Sequence, residues 1–163
     1  MDLFVFPNVA GLASVSDHWL MTKDGDPWAY EMSRRHYSAR RYRQKRQRLF
    51  VGPGRKLVLL SSDGLAIFAW RPFLDDCYPR QNGHNCAIFR NEGRMLSSML
   101  VMEAVQVVLS AWGNDRCYTL INPSKIKSHN PGCCFKKAGW KSAGVSKTGK
   151  VILEFLPFNW PGA

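Results

Sequence analysis

The sequence predicts a mixed α/β fold, in which an antiparallel meander precedes a long helix and a closing strand, short helix and strand. Two strand-like segments, 56–61 and 65–70, are separated by Ser-Asp-Gly at 62–64, and an Asp-Gly pair between apolar runs is a strong signal for a β-hairpin. Residues 96–109 are apolar at helical spacing and closely follow a strand-like run at 86–89. These patterns favour a sheet with a long helix between two of its strands.

An N-terminal helix is predicted to begin at Pro27. Asp26 is a favoured N-cap residue, proline is favoured in the first turn, and Trp28 and Met32 follow at helical spacing. We expect this helix to extend into the basic segment that begins at Arg34.

Turn residues between apolar runs mark the remaining elements. Gly-Pro-Gly at 52–54 separates a first strand from the hairpin, and the long helix is expected to end near Gly113. The other predicted elements are strands at 48–51, 118–121 and 151–155 and a short helix at 133–138. A length of 163 residues is typical of one domain, so residues 1–163 are predicted to form a single domain.

Composition excludes several classes of protein. A hydrophobic fraction of 45% with 21% charged residues is typical of a globular chain and not of a disordered one. Apolar runs stay short of the roughly 18 residues that suggest a membrane span, and the first residues carry no basic region typical of a signal peptide. The cysteines form no C-x-x-C pair, so we expect thiols and no structural zinc. A cytoplasmic protein that does not bind membranes is the expectation.

The net charge of +11 is concentrated in one segment, residues 34–48, which contains eight Lys or Arg residues and no carboxylate. Tyr37 and Tyr42 are interleaved with these cations, and cations mixed with aromatic rings are typical of surfaces that bind nucleic acid. The alternative is the solvated face of a surface helix. The predicted nucleic-acid contacts are Arg34, Arg35, Arg40, Arg41, Arg43, Lys45, Arg46 and Arg48.

A candidate phosphate-binding turn lies between the strand at 86–89 and the long helix. A glycine there lets the backbone approach a ligand, and the free amides at a helix start favour a pyrophosphate. Taken alone this pattern is weak, because strand-to-helix turns contain glycine for purely geometric reasons. The candidate cofactor-binding residues of this turn are Arg90, Gly93, Arg94, Met95 and Leu96.

The order of elements and this turn resemble the GNAT acyltransferase superfamily, whose pyrophosphate loop reads Q/R-x-x-G-x-G/A. Arg90 and Gly93 match that loop, whereas Met95 stands where the family has Gly or Ala. The Ala-Gly-Trp turn at 138–140 is also similar to the family's C-terminal part. The resemblance implies a mixed sheet with an antiparallel N-terminal meander, a pyrophosphate-loop helix and a short C-terminal helix. It further implies a CoA-type cofactor such as acetyl-CoA, with Ser128 and Asn130 in the loop that contacts its pantetheine arm.

Within this superfamily the chain looks most like phage Mom-type DNA modification proteins, which add a carbamoylmethyl group to adenine N6. The adjacent His36 and Tyr37 match a His-Tyr pair of that family, and its functional aspartate falls at Asn122 here. The resemblance therefore implies His36, Tyr37 and Asn122 as catalytic candidates. An iron ion is associated with the family's His and Asp, but asparagine is a poor replacement for a carboxylate ligand, so no metal site is predicted.

Alternatives remain at each of these residues. A histidine in a basic run can simply contact phosphate, a tyrosine can serve only for packing, and Cys133 and Cys134 are more easily explained as buried thiols than as nucleophiles. Three functions stay open: a DNA-modifying enzyme acting on a flipped or single-stranded base, an acetyltransferase for a protein or small amine, and a non-catalytic nucleic-acid-binding protein.

Overall fold

A computed structural model describes residues 7–37, 39, 49–72 and 79–160 of the chain. Within these residues, eight strands form one sheet in the order β1-β2-β3-β4-β5-β6-β8-β7, which confirms the predicted mixed α/β class. The strands are β1 (Ala13–Ser14), β2 (Trp19–Thr22), β3 (Leu57–Ser61), β4 (Ala66–Arg71), β5 (His84–Asn91), β6 (Cys117–Ile121), β7 (Lys141–Val145) and β8 (Val151–Phe155). The helices are α1 (Pro27–Arg34), α2 (Ser97–Trp112) and α3 (Cys133–Lys137), with a 3-10 turn at Pro123–Lys125.

Strands β1 to β5 form an antiparallel meander, in which β3 and β4 are the predicted hairpin at 56–61 and 65–70. The β3–β4 hairpin is closed by the Ser-Asp-Gly turn, in which Gly64 has a φ of 73° and the Asp63 carboxylate accepts a hydrogen bond from the Leu65 amide at 2.9 Å. A positive φ is inexpensive only for glycine, which explains why this turn ends in that residue.

Both faces of the central strands are covered, which explains their continuous apolar sequence. Along β4 the side chains alternate: Phe68 and Trp70 pack with α2, whereas Ile67 and Ala69 pack with α1. Helices α2 and α3 therefore lie on one face of the sheet, and α1 lies on the other.

Two tryptophans connect the sheet to α2 by polar contacts inside the core. The indole nitrogen of Trp19 donates to the Leu100 carbonyl at 2.9 Å, and that of Trp70 donates to the Ala104 carbonyl at 3.1 Å. Both side chains are fully buried, so these bonds remove the cost of leaving an indole N–H unpaired.

The N-terminal helix begins as predicted. The Asp26 carboxylate accepts hydrogen bonds from the amides of Trp28 and Ala29, both at 2.9 Å, and Pro27 occupies the first turn. The helix ends at Arg34, where the basic segment starts, so the predicted extension into that segment is limited to its first residue among those described.

The predicted strand at 48–51 is wrong for the residues that the structure describes there. Residues 49–51 pair with no strand; instead the amides of Phe50 and Val51 donate to the buried carboxylate of Asp24. Three observed strands were not predicted: β1 and β2 are short, and β7 is an exposed edge strand without apolar alternation.

The later elements agree closely with expectation. Helix α2 ends at Trp112 with Gly113 at a φ of 103°, and α3 follows β6 after the 3-10 turn. Cys86, Cys117, Cys133 and Cys134 are free thiols, whereas Cys77 lies outside the described residues. No helix in the described part of the chain is long and apolar enough to cross a membrane.

Gly132, at the start of α3, provides a test of how tightly this region is packed. Its φ is 77°, and a Cβ there would lie 2.6 Å from a terminal methyl carbon of both Ile121 and Leu153. Gly149 has a similar φ of 84° but open space around it. Both Gly→Ala variants carry the cost of a left-handed alanine, so Gly132→Ala should lose about 1–3 kcal/mol more than Gly149→Ala in urea denaturation. Equal losses would show that these methyl groups move aside freely.

Candidate active site

A cleft of about 880 Å³ opens where β5 and β6 separate. The two strands are parallel neighbours, but their ladder contains only two residue pairs, His84 with Cys117 and Asn85 with Tyr118. Strand β6 instead forms five pairs with β8 and follows that strand away from β5. The cleft is lined from both faces of the sheet, by the residues after α1 on one side and by α3 on the other.

A β-bulge widens the wall formed by β5. Ala69 pairs with Ile88 and Trp70 with Cys86, so Ala87 is an extra residue on β5 and lines the cleft. Beyond Asn85 the β5–β6 ladder ends, and the Cys86 carbonyl accepts a hydrogen bond from the Thr119 hydroxyl at 3.1 Å; the β6-facing backbone groups of β5 after Cys86 have no ladder partner on β6. Backbone N–H and C=O groups without a ladder partner can bind an extended polar ligand, and bulges of this kind often lie beside active sites.

Two of the three predicted catalytic residues, His36 and Tyr37, line this cleft, and the third, Asn122, contacts Tyr37. The rings of His36 and Tyr37 lie side by side, with centroids 4.4 Å apart, and both line the cavity. The Asn122 amide donates to the Tyr37 hydroxyl oxygen at 3.4 Å. The Asn122 side chain is used locally, since its Oδ1 accepts from the amide and the hydroxyl of Ser124 and caps the 3-10 turn. Asn122 therefore reaches the site through its backbone.

Burial sets the protonation of the ring pair. Burial, with a smaller contribution from the nearby Arg90 charge, lowers the pKa of His36 to about 4. Burial raises the pKa of Tyr37, against a smaller opposing effect of the hydrogen bond from Asn122. At neutral pH the site thus presents a neutral imidazole beside a protonated phenol, which is a proton acceptor next to a proton donor.

Arg90 stabilises the end of α1 from the neighbouring strand. Its Nη1 donates to the Arg35 carbonyl oxygen at 2.9 Å, and its Nε lies 3.3 Å from a Glu92 carboxylate oxygen without hydrogen-bond geometry. Glu92 also accepts from the Arg35 Nε and Nη2, each at 2.8 Å. These contacts hold the turn that carries His36 and Tyr37. A role for Arg90 in phosphate binding stays a prediction.

The turn at Gly93 owes its glycine to packing. A Cβ there would lie 2.8 Å from a carboxylate oxygen of Asp63 and 2.9 Å from Cβ of Leu65. The Gly93 amide donates to the Asn91 side chain at 2.9 Å, and that side chain in turn donates to the Met95 carbonyl at 2.7 Å. The sequence signal at Gly93 therefore has a structural cause that is independent of any ligand.

The first turn of α2 is better suited to bind an anion. Its N-cap residue, Leu96, supplies no side-chain acceptor, so the first amides of the helix have no side-chain cap. Arg94 is exposed next to them. This helix start follows directly from β5, the strand that forms one wall of the cleft. A strand wall with unpaired backbone groups that leads to uncapped helix amides can bind a long ligand ending in phosphate.

A solved structure with the same architecture decides the fold. A protein from Bordetella pertussis assigned to the GnaT acetyltransferase family superposes with a TM-score of 0.53 at 13% identity, and the match covers 85% of this chain and 96% of that one. The chain has the GNAT fold. The GNAT domain of S. lividans PAT matches with a TM-score of 0.47 at 18% identity over 61% of this chain and 60% of that chain. No protein-family model and no curated protein sequence matches the chain.

Ser128 and Asn130, the predicted pantetheine contacts of the GNAT fold, lie in the exposed loop before α3. The Asn130 amide donates to the Ser128 hydroxyl at 3.2 Å, and Lys136 Nζ donates to the Asn130 side-chain oxygen at 2.8 Å. Ile126 and Gly132 of the same loop line the cleft, whereas Ser128 and Asn130 do not. Their contact with a cofactor stays a prediction.

Residues at or next to both ends of the basic segment line the cleft. Ala39 and Leu49, the described residues nearest to its central part, both line the cavity, as does Arg34. Arg35 is paired with Glu92. The remaining predicted nucleic-acid contacts lie outside the described residues: Arg40, Arg41, Arg43, Lys45, Arg46 and Arg48.

Two further residues of the site have no sequence motif. Arg71, the last residue of β4, and Lys150, directly before β8, line the cleft together with Arg34. The described lining contains no aspartate or glutamate. Among the described residues, no group of three or more His, Cys, Asp or Glu could hold a metal ion.

The buried imidazole of His36 predicts an acid-dependent loss of stability. The pKa of this group is about 4 in the folded chain, whereas an unfolded histidine titrates near 6.5. Because the unfolded chain then binds the proton more readily, this contribution to the free energy of unfolding is complete above about pH 6.5 and is lost as the pH falls towards 4. Between about pH 7 and pH 4.5 the loss amounts to about 2.5 kcal/mol.

Urea denaturation at the two pH values measures that loss. Between these pH values the free energy of unfolding of His36→Gln should fall by about 2.5 kcal/mol less than that of the wild type. His129→Gln, which removes an exposed imidazole, should lose as much stability as the wild type. If His36→Gln and the wild type lose stability equally, the imidazole is not buried in its neutral form.

Proposed function

We propose that this protein is an acyl-CoA-dependent transferase that modifies an amine of DNA, with adenine N6 as the candidate acceptor. The observation that carries the proposal is the cleft between β5 and β6, which is lined by the part of β5 beyond the ladder and by the neutral His36 and protonated Tyr37. A GNAT fold alone does not define a reaction, so the argument rests on these groups.

The chain's own groups fit a CoA-type cofactor. The unpaired backbone of β5 after Ala87 would hold the pantetheine arm, and the uncapped amides of α2 with Arg94 would hold the pyrophosphate. When bound, CoA supplies an activated acyl carbonyl and a thiol leaving group. The cavity of about 880 Å³ is within the usual range for a cofactor site.

The His36–Tyr37 pair can accept one proton and donate the other in such a transfer. Acyl transfer from bound CoA would form an N–C bond and break a C–S bond, so the amine would lose one proton and the thiol leaving group would need one. His36, neutral above about pH 4, would accept the proton of the amine, and Tyr37, which is protonated because its pKa is raised, would donate the other. A base with a pKa near 4 suits an aromatic amine that is already uncharged at neutral pH better than an alkylammonium group.

The charge around the cleft favours a polyanionic acceptor. The basic segment begins and ends beside cleft-lining residues, and the described lining has cations without carboxylates. A base inside a duplex cannot present its amine to a buried cofactor, so the acceptor must be single-stranded or flipped out of the helix. The resemblance to Mom-type proteins agrees with this acceptor.

Binding of CoA is tested by a thermal shift. Ala87 lines the cleft, so Ala87→Trp should fill it and abolish the rise in melting temperature that millimolar CoA produces in the wild type. Ala143→Trp on the edge strand β7 places the same side chain elsewhere and should keep the shift. No shift in wild-type protein freed of co-purified ligand would contradict CoA binding.

A second measurement covers the case in which Ala87→Trp does not fold. Cys134 lines the same cavity, so bound CoA should slow the alkylation of Cys134 by iodoacetamide. Peptide mass spectrometry measures the rate of this alkylation. Cys133 is its neighbour in sequence but does not line the cavity, and it provides the internal control.

The acceptor is identified from the nucleosides of DNA taken from cells that express the protein. We expect a modified adenosine carrying an acyl group, and its yield should fall about 100-fold or more in His36→Gln and in Tyr37→Phe, as is usual when a general acid or base is removed. Unmodified DNA together with acetylated protein or polyamine would assign the enzyme to the alternative class of acceptor.

A further inference from the structure

We propose that Arg71 and Lys150 are phosphate-contact residues that hold a nucleic-acid strand across the mouth of the cleft. This inference rests on the proposed function and names residues of the acceptor site that no sequence motif indicates. It begins with the unusual surroundings of Arg71.

Arg71 is a partly buried cation that has no partner among the residues that the structure describes. Among the described residues its guanidinium makes no hydrogen bond and no ion pair, and it lies against the backbone of Gly52, where an added Cβ would be 3.7 Å from its Nη1. By strand alternation it shares the face of Ile67 and Ala69, which is the face covered by α1. The same face carries the His36–Tyr37 turn.

Other sheltered cations in the structure are neutralised. Arg116 lies 2.5 Å from a Glu154 carboxylate oxygen, and Lys56 lies 2.9 Å from the Asp24 carboxylate. A charge that is partly removed from water without a partner costs folding free energy. Arg71 lines the cleft in spite of this cost, which is expected if an anionic group of a bound ligand neutralises it.

Lys150 provides a second cation on the opposite wall. It directly precedes β8, whose Val151 pairs with Ile121 at the end of β6, and its side-chain ammonium has no partner among the described residues. Only its backbone amide is engaged, with the Ser146 hydroxyl at 3.1 Å. Arg34, at the end of α1, is a third cation on the lining.

The distance between Arg71 and Lys150 indicates which kind of anion can contact both. Arg71 ends β4 and Lys150 adjoins β8, and β5 and β6 lie between them in the sheet. Three strand spacings correspond to about 14 Å, and the divergence of β5 from β6 adds to this. One phosphate cannot contact both side chains, whereas successive phosphates of a single strand can. The geometry therefore points to an oligonucleotide and not to a free nucleotide.

The lack of carboxylates in the described lining also favours a nucleic-acid acceptor over a cationic amine. A lysine side chain or a polyamine would enter a cleft with three cations and no described carboxylate, which is electrostatically unfavourable. A neutral aromatic amine attached to a phosphate backbone meets no such barrier, and the His36 and Tyr37 rings offer it a stacking surface.

The test compares Arg71→Gln and Lys150→Gln with Lys141→Gln, which removes an exposed lysine from the edge strand β7. The probe is a fluorescent 15-nucleotide single-stranded oligodeoxyadenosine, titrated at several salt concentrations. Loss of one phosphate contact should reduce the log–log salt slope by about 0.7 for a single strand and weaken binding several-fold. Lys141→Gln should leave slope and affinity unchanged, and all three variants should keep the CoA thermal shift.

Melting temperature provides an independent readout. Because Arg71 has no partner in the described chain, Arg71→Gln should not lower the melting temperature of the free protein. A marked decrease would assign Arg71 a structural role and overturn the inference.

The variant Arg40→Gln/Arg41→Gln/Arg43→Gln separates this inference from the proposed function. If the triple variant loses oligonucleotide binding while Arg71→Gln and Lys150→Gln bind like the wild type, the strand follows the basic segment only; the inference is then wrong and the DNA-modifying function stands. If the wild-type protein binds no oligonucleotide at low salt, the inference and the DNA acceptor fail together, and the CoA thermal shift still reports separately on the cofactor.

Discussion

The site depends on the short parallel ladder between β5 and β6. Two residue pairs hold these strands together at one end, while five pairs bind β6 to β8. Since β6 follows the stronger ladder, the two strands must separate, and the sheet opens without any loss of its outer pairing. The cleft is therefore produced by competition between two ladders, and the bulge at Ala87 enlarges it on the β5 side.

The chemistry of the cleft depends on how the end of α1 is attached to β5. Glu92 binds both Arg35 and Arg90, and Arg90 also binds the Arg35 carbonyl, so one carboxylate fixes the turn that carries His36 and Tyr37. The hydrogen bond from Arg35 holds the pKa of Glu92 below its usual range. Burial lowers the pKa of His36, and the Arg90 charge that this arrangement places nearby lowers it further, so the imidazole is neutral.

The sequence indicated the fold wherever local chemistry and the fold required the same residue. Asp26 as an N-cap, the Asp-Gly hairpin turn and Gly113 after α2 are examples. It failed where tertiary contacts decide. The Asp24 carboxylate takes the amides that would otherwise have begun a strand at 49–51, and β7 forms because β8 offers an edge.

The candidate site shows the same division. His36 and Tyr37 were found through a resemblance, and the structure explains their proximity to Asn122 by a backbone contact that no pattern encodes. The Gly93 signal proved to have a packing cause, whereas Arg71 carries no local signature at all. Its proposed role is inferred from the lack of a partner in the described part of the chain, which only the three-dimensional arrangement reveals.

The two indole bonds to α2 have a mechanical consequence. Trp19 on β2 and Trp70 on β4 donate hydrogen bonds to the carbonyls of Leu100 and Ala104, which are one helical turn apart. A slip of the helix by one residue would rotate it by about 100° and break both bonds at once. The two bonds together fix both the rotation of α2 about its axis and its position along that axis, and with them the placement of its first turn against the sheet.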